Sequence, residues 1–133
     1  MYENTGVSCI AYIRNSRTLI AGSKTGHVIA FDERCLHEPL HVITAHESAV
    51  KTLALDPAER FYVTGSANGD VKAWDATNHR LLYVSETEHP RSSLFRNFGS
   101  GTMQVEVTAE NLFTCGADGT LKMTSLSSIG LGS

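Results

Sequence analysis

Histidines and cysteines are the residues of this sequence that could bind a metal, but their spacing argues against such a site. The histidines are His27, His37, His41, His46, His79 and His89, and the cysteines are Cys9, Cys35 and Cys115. The closest histidines lie in a stretch without helical periodicity, so their spacing does not bring them to one helix face. No Cys-x-x-Cys or zinc-type pattern accompanies them. The sequence therefore predicts free thiols, no metal site and no cofactor.

Nucleophilic catalysis is also not indicated by the sequence. Serine, histidine and aspartate are present, but no serine lies in a Gly-x-Ser-x-Gly elbow. The glycine-rich segment 22–26 lacks the full phosphate-loop pattern and a following helix, and a β-hairpin turn explains it. We therefore predict no catalytic residues and a protein that is not an enzyme.

The composition argues against two kinds of binding partner, nucleic acid and the interior of a membrane. The chain has 133 residues, is 41% hydrophobic and carries a net charge of −3. An acidic balance argues against binding to a nucleic-acid backbone, which favours a basic face. No apolar run reaches the ~18 residues that a membrane span needs, and the first residues lack a signal-peptide pattern. These features predict a globular domain with no nucleic-acid partner and no direct insertion into a membrane.

The residues from Ala45 to Asp75 contain three short strand-like runs separated by two turns. The predicted strands are 50–55, 61–64 and 70–74. Pro57 favours a β-turn after the first run, and Gly65 and Gly69 provide the conformational freedom of a tight turn after the second. The stretch ends in Trp74-Asp75. It resembles a WD repeat, which forms one blade of a β-propeller.

Two more copies of this pattern flank the central one. Their predicted strands are 7–13, 18–21, 27–32 and 40–44 on the N-terminal side, and 103–107, 112–115 and 120–125 on the C-terminal side. The interval from Gly26 to Gly69 matches the roughly 40–45-residue period of a WD repeat, and that from Gly69 to Gly119 is about seven residues longer. Three strand–turn–strand units in register predict three blades.

The predicted fold class is therefore all-β, a partial WD-repeat propeller of about three antiparallel blades. The predicted units are a first blade at 1–44, a second at 45–85, an inserted loop at 86–102, a third blade without its last strand at 103–126, and a flexible tail at 127–133. A propeller closes with about four to eight blades, so we expect an incomplete, C-terminal part of a larger propeller.

A more specific resemblance covers most of the chain, from about residue 20 to residue 122. The segments 45–74, 94–107 and 112–122, with the motifs FRNFG at 95–99 and CGADG at 115–119, are similar to the last WD repeats of the DmX-like proteins. This family is also called the rabconnectins, and its fungal relatives belong to the RAVE complex. The resemblance implies a non-catalytic interaction scaffold that is involved in assembly of the vacuolar-type proton ATPase and in organelle acidification.

The same resemblance implies partners and a location. The expected partners are V1 subunits of the proton ATPase and a second WD-repeat rabconnectin subunit. The expected location is the cytoplasm, with peripheral attachment to endosomal, vacuolar or synaptic-vesicle membranes. Other interpretations of the WD repeats are a trafficking adaptor, a ubiquitin-ligase receptor, an enzyme built on a propeller, or a gene fragment without function.

WD repeats often contain a buried tetrad of hydrogen-bonding side chains, and the second copy has candidates for each position. The family pattern corresponds to His46, Thr64, Asn68 and Trp74. Buried tryptophan and histidine N–H groups need partners, and a threonine hydroxyl can both donate and accept. Asn68 stands where the family has aspartate, so the charge that would strengthen a bond to histidine is missing. We expect a structural role for this set.

The loop 86–102 is the part of the sequence that the repeat does not explain. It contains Arg91, Phe95, Arg96 and Phe98. Aromatic residues and arginine dominate binding hot spots, and loops on rigid scaffolds often bind partners. These four residues are the candidate partner-binding site, and the alternative is that the apolar ones cover the edge of a blade.

Overall fold

The computed structural model describes residues 6–85, 102–116 and 119–132, and the chain within them folds into three antiparallel sheets of four, four and three strands. The first sheet contains β1 (Val7–Ile13), β2 (Thr18–Ser23), β3 (His27–Asp32) and β4 (His41–Thr44); the second β5 (Val50–Leu55), β6 (Phe61–Ser66), β7 (Val71–Asp75) and β8 (Leu81–Ser85); the third β9 (Thr102–Val107), β10 (Asn111–Gly116) and β11 (Leu121–Ser125). Consecutive strands are neighbours in every sheet. The predicted all-β, three-blade class is confirmed.

The sheets pack face to face, with their first strands side by side. β5 contacts β1 on one side and β9 on the other. The second sheet is therefore covered on both faces, and all six residues of β6 are buried. This explains why β6 reads as a continuous apolar and small-residue run, whereas a strand with one solvated face would alternate.

Two hydrophobic cores hold the sheets together. Between the first and second sheets lie buried side chains that include Ile20, Val28, Tyr62 and Trp74. Between the second and third sheets lie Phe61, Val63, Val71, Ala73, Val105, Val107, Leu112, Leu126 and Leu131. Because burial of apolar area stabilises at roughly 25 cal/mol per Å², these two layers are the main driving force for the arrangement.

The turn between the second and third strands of each sheet uses a glycine in the left-handed region. The φ angles are +89° at Gly26, +99° at Gly69 and +81° at Gly119. Gly26 is also restricted by its surroundings, because a Cβ atom there would lie 2.1 Å from the backbone oxygen of His46. The carbonyl of Gly26 accepts hydrogen bonds from the backbone N–H groups of Ala45 and His46. This turn therefore fixes the segment that leads into the second sheet.

The first strand of each sheet pairs with an irregularity at the same end. The register shifts between Val7 and Cys9, between Val50 and Thr52, and opposite Cys115 and Gly116. Such register shifts are typical of β-bulges, which bend a strand locally and increase its twist. The three sheets are thus copies in backbone detail as well as in strand order.

The structure differs from the sequence prediction at several boundaries. β2, β6 and β10 continue into the glycine-containing turn, to Ser23, Ser66 and Gly116. β8 is a strand that the repeat pattern did not single out, and it pairs with β7 along the outer edge of the second sheet. Outer strands need less apolar patterning, since one long edge faces solvent.

Residues 127–133 were predicted to be a flexible tail, and the described part has a defined conformation. Ser127–Ile129 form a 3₁₀ turn, and Gly130 ends it with φ +80°. The backbone N–H groups of Leu131 and Gly132 donate to the carbonyl of Leu126. Leu126 and Leu131 are buried in the core beside the third sheet, and this apolar pair explains the ordered turn.

Candidate functional site

The centre of the candidate site is a buried hydrogen-bond network on the face of the second sheet that meets the first. Trp74 on β7 donates from Nε1 to the Thr64 hydroxyl at 3.0 Å. His46, just before β5, places Nε2 2.7 Å from the same oxygen. Thr64 is fully buried, and His46 and Trp74 are 3% and 6% exposed. One hydroxyl therefore serves two rings and links β6 and β7 to the segment that precedes β5.

Asn68, the fourth predicted member, is not joined to this network by a hydrogen bond. Its side-chain oxygen accepts from the Ser66 hydroxyl and, at 3.3 Å, from the Asp70 backbone N–H. Its own backbone N–H donates to the Ser48 hydroxyl at 3.0 Å. Asn68 thus stabilises the turn itself. The Nδ1 atom of His46 is buried without a hydrogen-bond partner.

Burial keeps the His46 imidazole neutral. Desolvation lowers its pKa to about 4, and the Lys72 ammonium adds to this shift while Asp70 opposes it. Lys72 lies near because its Nζ donates to the Ala45 carbonyl at 2.6 Å. A neutral, buried imidazole between apolar side chains is suited to a structural role.

The corresponding positions of the other two sheets hold different residues. Phe31 on β3 stands where Trp74 stands on β7, and Thr124 on β11 stands there in the third sheet. Thr114 is buried at the position of Thr64. His89 and Asp118, the remaining tetrad-like residues of the third repeat, lie outside the described residues. Among the described residues, the His–Thr–Trp arrangement is therefore present in the second sheet.

Polar contacts between sheets are a feature that sequence patterns missed. Glu59, in the turn before β6, accepts from the backbone N–H groups of Arg14 and Asn15 at 3.0 Å each, and from Arg14 Nε at 3.4 Å. The two backbone bonds lower its pKa below the ordinary value, with Arg14 adding to the effect. Between the second and third sheets, the Thr52 hydroxyl accepts from the Val105 N–H at 3.2 Å.

The predicted partner-binding residues, Arg91, Phe95, Arg96 and Phe98, lie outside the described residues, as does most of the predicted inserted loop. They remain a prediction.

The described part of the chain holds neither a metal-binding cluster nor a membrane-spanning helix. Across residues 6–85, 102–116 and 119–132, no three His, Cys, Asp or Glu side chains are grouped so that they could hold a metal. Over the same ranges no helix has the length and apolarity needed to cross a bilayer. The cysteines are free thiols, and burial raises the pKa of Cys9.

Exposed apolar side chains are the groups that the described surface offers to a partner. On β8 these are Leu81, Leu82 and Val84, and on β11 Leu121 and Met123, which are 74% and 66% exposed. Exposed apolar area of this kind marks protein–protein contacts. The arrangement favours protein binding.

Comparison with known proteins identifies the relatives of the chain. The WD domain, G-beta repeat family matches residues 37–75. Human DmX-like protein 1 is 41% identical over 125 residues, which are 93% of this chain, and mouse DmX-like protein 1 gives the same values. The chain carries WD repeats of the DmX-like family. It spans 4% of the length of these curated relatives.

Solved structures agree on the fold. The WD40 repeats of RRP9 superpose with a TM-score of 0.79 at 15% identity, over 96% of this chain and 38% of that one. Identity this low supports the propeller fold alone. Together, the DmX-like relatives and the WD repeats support a protein-interaction scaffold, and proteins of both kinds are typically non-enzymatic.

Proposed function

We propose that these DmX-like repeats are a non-catalytic scaffold that takes part in assembly of the vacuolar-type proton ATPase and thereby in organelle acidification. The observation that supports this role is the 41% identity to DmX-like protein 1 over 93% of the chain. The proposed partners are V1 subunits of the ATPase and a second WD-repeat rabconnectin subunit. The proposed location is cytoplasmic, at the surface of endosomal, vacuolar or synaptic-vesicle membranes.

The physical basis is a rigid sheet stack that presents loops and edges. The buried His46–Thr64–Trp74 network and the two apolar cores fix the backbone of the second sheet. Rigid sheets hold variable loops in position for binding, at a low cost in ordering entropy. Such a scaffold needs neither a metal nor a nucleophile.

The test is retention of V1 subunits from cytosol by the DmX-like propeller that contains this chain. Circular dichroism first establishes that the bait is folded. We expect V1 subunits to be retained on this bait and absent from a WD propeller of another family. A folded bait that retains no V1 subunit would contradict the proposed role and favour a different trafficking scaffold or a ubiquitin-ligase receptor.

We propose further that Phe95 and Phe98, flanked by Arg91 and Arg96, form the partner-binding hot spot. Replacing Phe95 and Phe98 together by alanine is expected to reduce V1 retention by about tenfold or more, as loss of aromatic anchors does. Leu36→Ala, which alters an exposed apolar side chain outside the loop and outside β8 and β11, is the matched control. A double variant that loses stability while retaining V1 would show that the phenylalanines cover a blade edge.

A further inference from the structure

Two histidines face each other across a cleft between the first and second sheets. The rings of His41 on β4 and His79 in the turn before β8 have centroids 4.9 Å apart and planes tilted by 49°. The cleft has a volume of about 250 Å³ and is also lined by Ser16, Thr18, Glu59 and Thr77. The two histidines belong to different sheets, so their contact reports on how the outer parts of these sheets meet.

His79 is held in place from two directions. Its backbone has φ +60°, in the left-handed region that non-glycine residues seldom adopt. Its Nδ1 atom lies 3.0 Å from the hydroxyl of Tyr62 on β6. Tyr62 is fully buried in the core between the two sheets. The orientation of the His79 ring is thus tied to the same interface that contains Trp74.

Burial and the neighbouring His41 ring make protonation of His79 unfavourable, whereas the Asp75 carboxylate favours it. His79 lies beside the His41 ring and the Tyr62 hydroxyl, and Glu59 lines the same cleft. The Glu59 carboxylate is engaged by two backbone N–H groups and the Arg14 side chain. Burial lowers the pKa of His79, His41 lowers it further, and Asp75 partly opposes both effects.

We propose that His41 and His79 form a proton-sensitive contact that holds the first and second sheets together at neutral pH and weakens in acid. A neutral imidazole can exchange donor and acceptor roles with the Tyr62 hydroxyl, whereas an imidazolium can only donate. Two imidazolium rings at this separation also repel each other. Acid therefore adds a repulsive contact between the two rings and leaves the His79–Tyr62 hydrogen bond with a single possible direction.

The sign of the pH dependence follows from linkage. His79 binds a proton less readily in the folded chain than in the unfolded chain, because its folded pKa is lowered. Stability is therefore complete above the ordinary histidine pKa of about 6.5 and is lost as the pH falls below it. This loss begins within the pH range that cells and organelles cover.

The test measures the pKa of His79 by NMR in the full chain, with a chelator present. In the His41→Gln variant the neighbouring charge is removed, and we expect the His79 pKa to rise. His37→Gln, at an exposed histidine, is the control and is expected to leave it unchanged. An unchanged His79 pKa in His41→Gln would overturn the proposal.

A second measurement tests the link to the interface. Trp74 is the single tryptophan and lies in the core between the two sheets, so its fluorescence reports on their separation. Unfolding is followed at about pH 7.5 and about pH 5.5 in a double-mutant cycle of His41→Gln and His79→Asn, since asparagine tolerates the left-handed backbone. The proposal requires a coupling between the two substitutions that changes sign or size with pH. The same coupling at both pH values would contradict it.

Discussion

The second and third sheets share a backbone and differ in the side chains that hold it. β10 and β11 repeat the register of β6 and β7, yet Thr124 stands opposite Leu112 where Trp74 stands opposite Tyr62. The second sheet lies between two apolar layers. The third sheet packs on the second with one face, and its other face carries the exposed side chains of Leu121 and Met123. The comparison shows that a blade can keep its backbone without the tryptophan when one of its faces still packs against a neighbouring sheet.

Positions on the exposed face of the third sheet reinforce this conclusion. Phe113, Leu121 and Met123 occupy the register positions of Val63, Val71 and Ala73, which pack against the third sheet. The pattern of apolar residues is therefore that of a covered face in both sheets. The side chains on the second sheet are buried because the third sheet covers them, whereas Leu121 and Met123 on the third sheet are exposed.

The largest expected effect separates the two sheets at the tryptophan position. Trp74→Ala is expected to lower the free energy of unfolding by about 3–5 kcal/mol, because it leaves a cavity in the core between the first two sheets. Thr124→Ala, at the equivalent position, is expected to change it by less than about 0.5 kcal/mol. Chemical denaturation measures both values. Equal losses would remove the contrast between the sheets.

The turn glycines offer a comparison of the first and third sheets. At Gly26 an added Cβ would meet the His46 oxygen at 2.1 Å, whereas at Gly119 nothing lies within 4 Å, and both residues have positive φ. Gly119→Ala is expected to cost about 1–2 kcal/mol for the left-handed backbone alone. Gly26→Ala adds the displacement of the backbone before β5, and we expect roughly 3 kcal/mol or more in total. Thermal unfolding measures the stability of both variants. A larger loss of stability in Gly119→Ala than in Gly26→Ala would contradict this view.

Thr64 tests whether the network contributes beyond apolar packing. Thr64→Val keeps the shape but leaves the Trp74 N–H and His46 Nε2 without their shared partner. Loss of a partner for a buried polar group costs about 1–3 kcal/mol. Thr64→Ser retains the hydroxyl and is expected to lose less stability than the valine variant. Urea denaturation measures the stability of the valine and serine variants. A valine variant as stable as the wild type would show that the hydrogen bonds are dispensable.

The last comparison concerns the pH dependence of the second sheet. His46 has a folded pKa of about 4, lowered from 6.5, so the unfolded chain takes up a proton first as the pH falls. Its contribution to stability is complete above pH 6.5 and is lost between there and about pH 4. NMR titration of the imidazole measures this pKa. A His46 pKa close to the ordinary value of 6.5 would show that the ring is not desolvated.

Much of the fold could be read from local patterns. The strands at 7–13, 27–32 and 50–55 have the bounds that alternation and turn residues predict, because turns rich in glycine or proline interrupt apolar runs at fixed intervals. β8 carries a weaker pattern, since Leu81, Leu82 and Val84 lie exposed on an outer strand. Its pairing with β7 depends on the tertiary fold.

The candidate site was predictable in part. The residue types and spacing placed His46, Thr64 and Trp74 in one repeat, and the structure brings their side chains together. Asn68 followed from the same pattern, but its amide bonds within the turn. Competition between a local turn and a longer contact depends on distances that spacing does not give.

The sequence by itself determined the strand order, the turn glycines and the DmX-like relationship, because these are encoded in short segments. The tertiary structure alone decided which faces are buried and which polar groups meet between sheets. Glu59 on the Arg14–Asn15 backbone, Thr52 on Val105 and His41 beside His79 join residues far apart in the chain. Such contacts arise from the packing of whole sheets, and no local period predicts them.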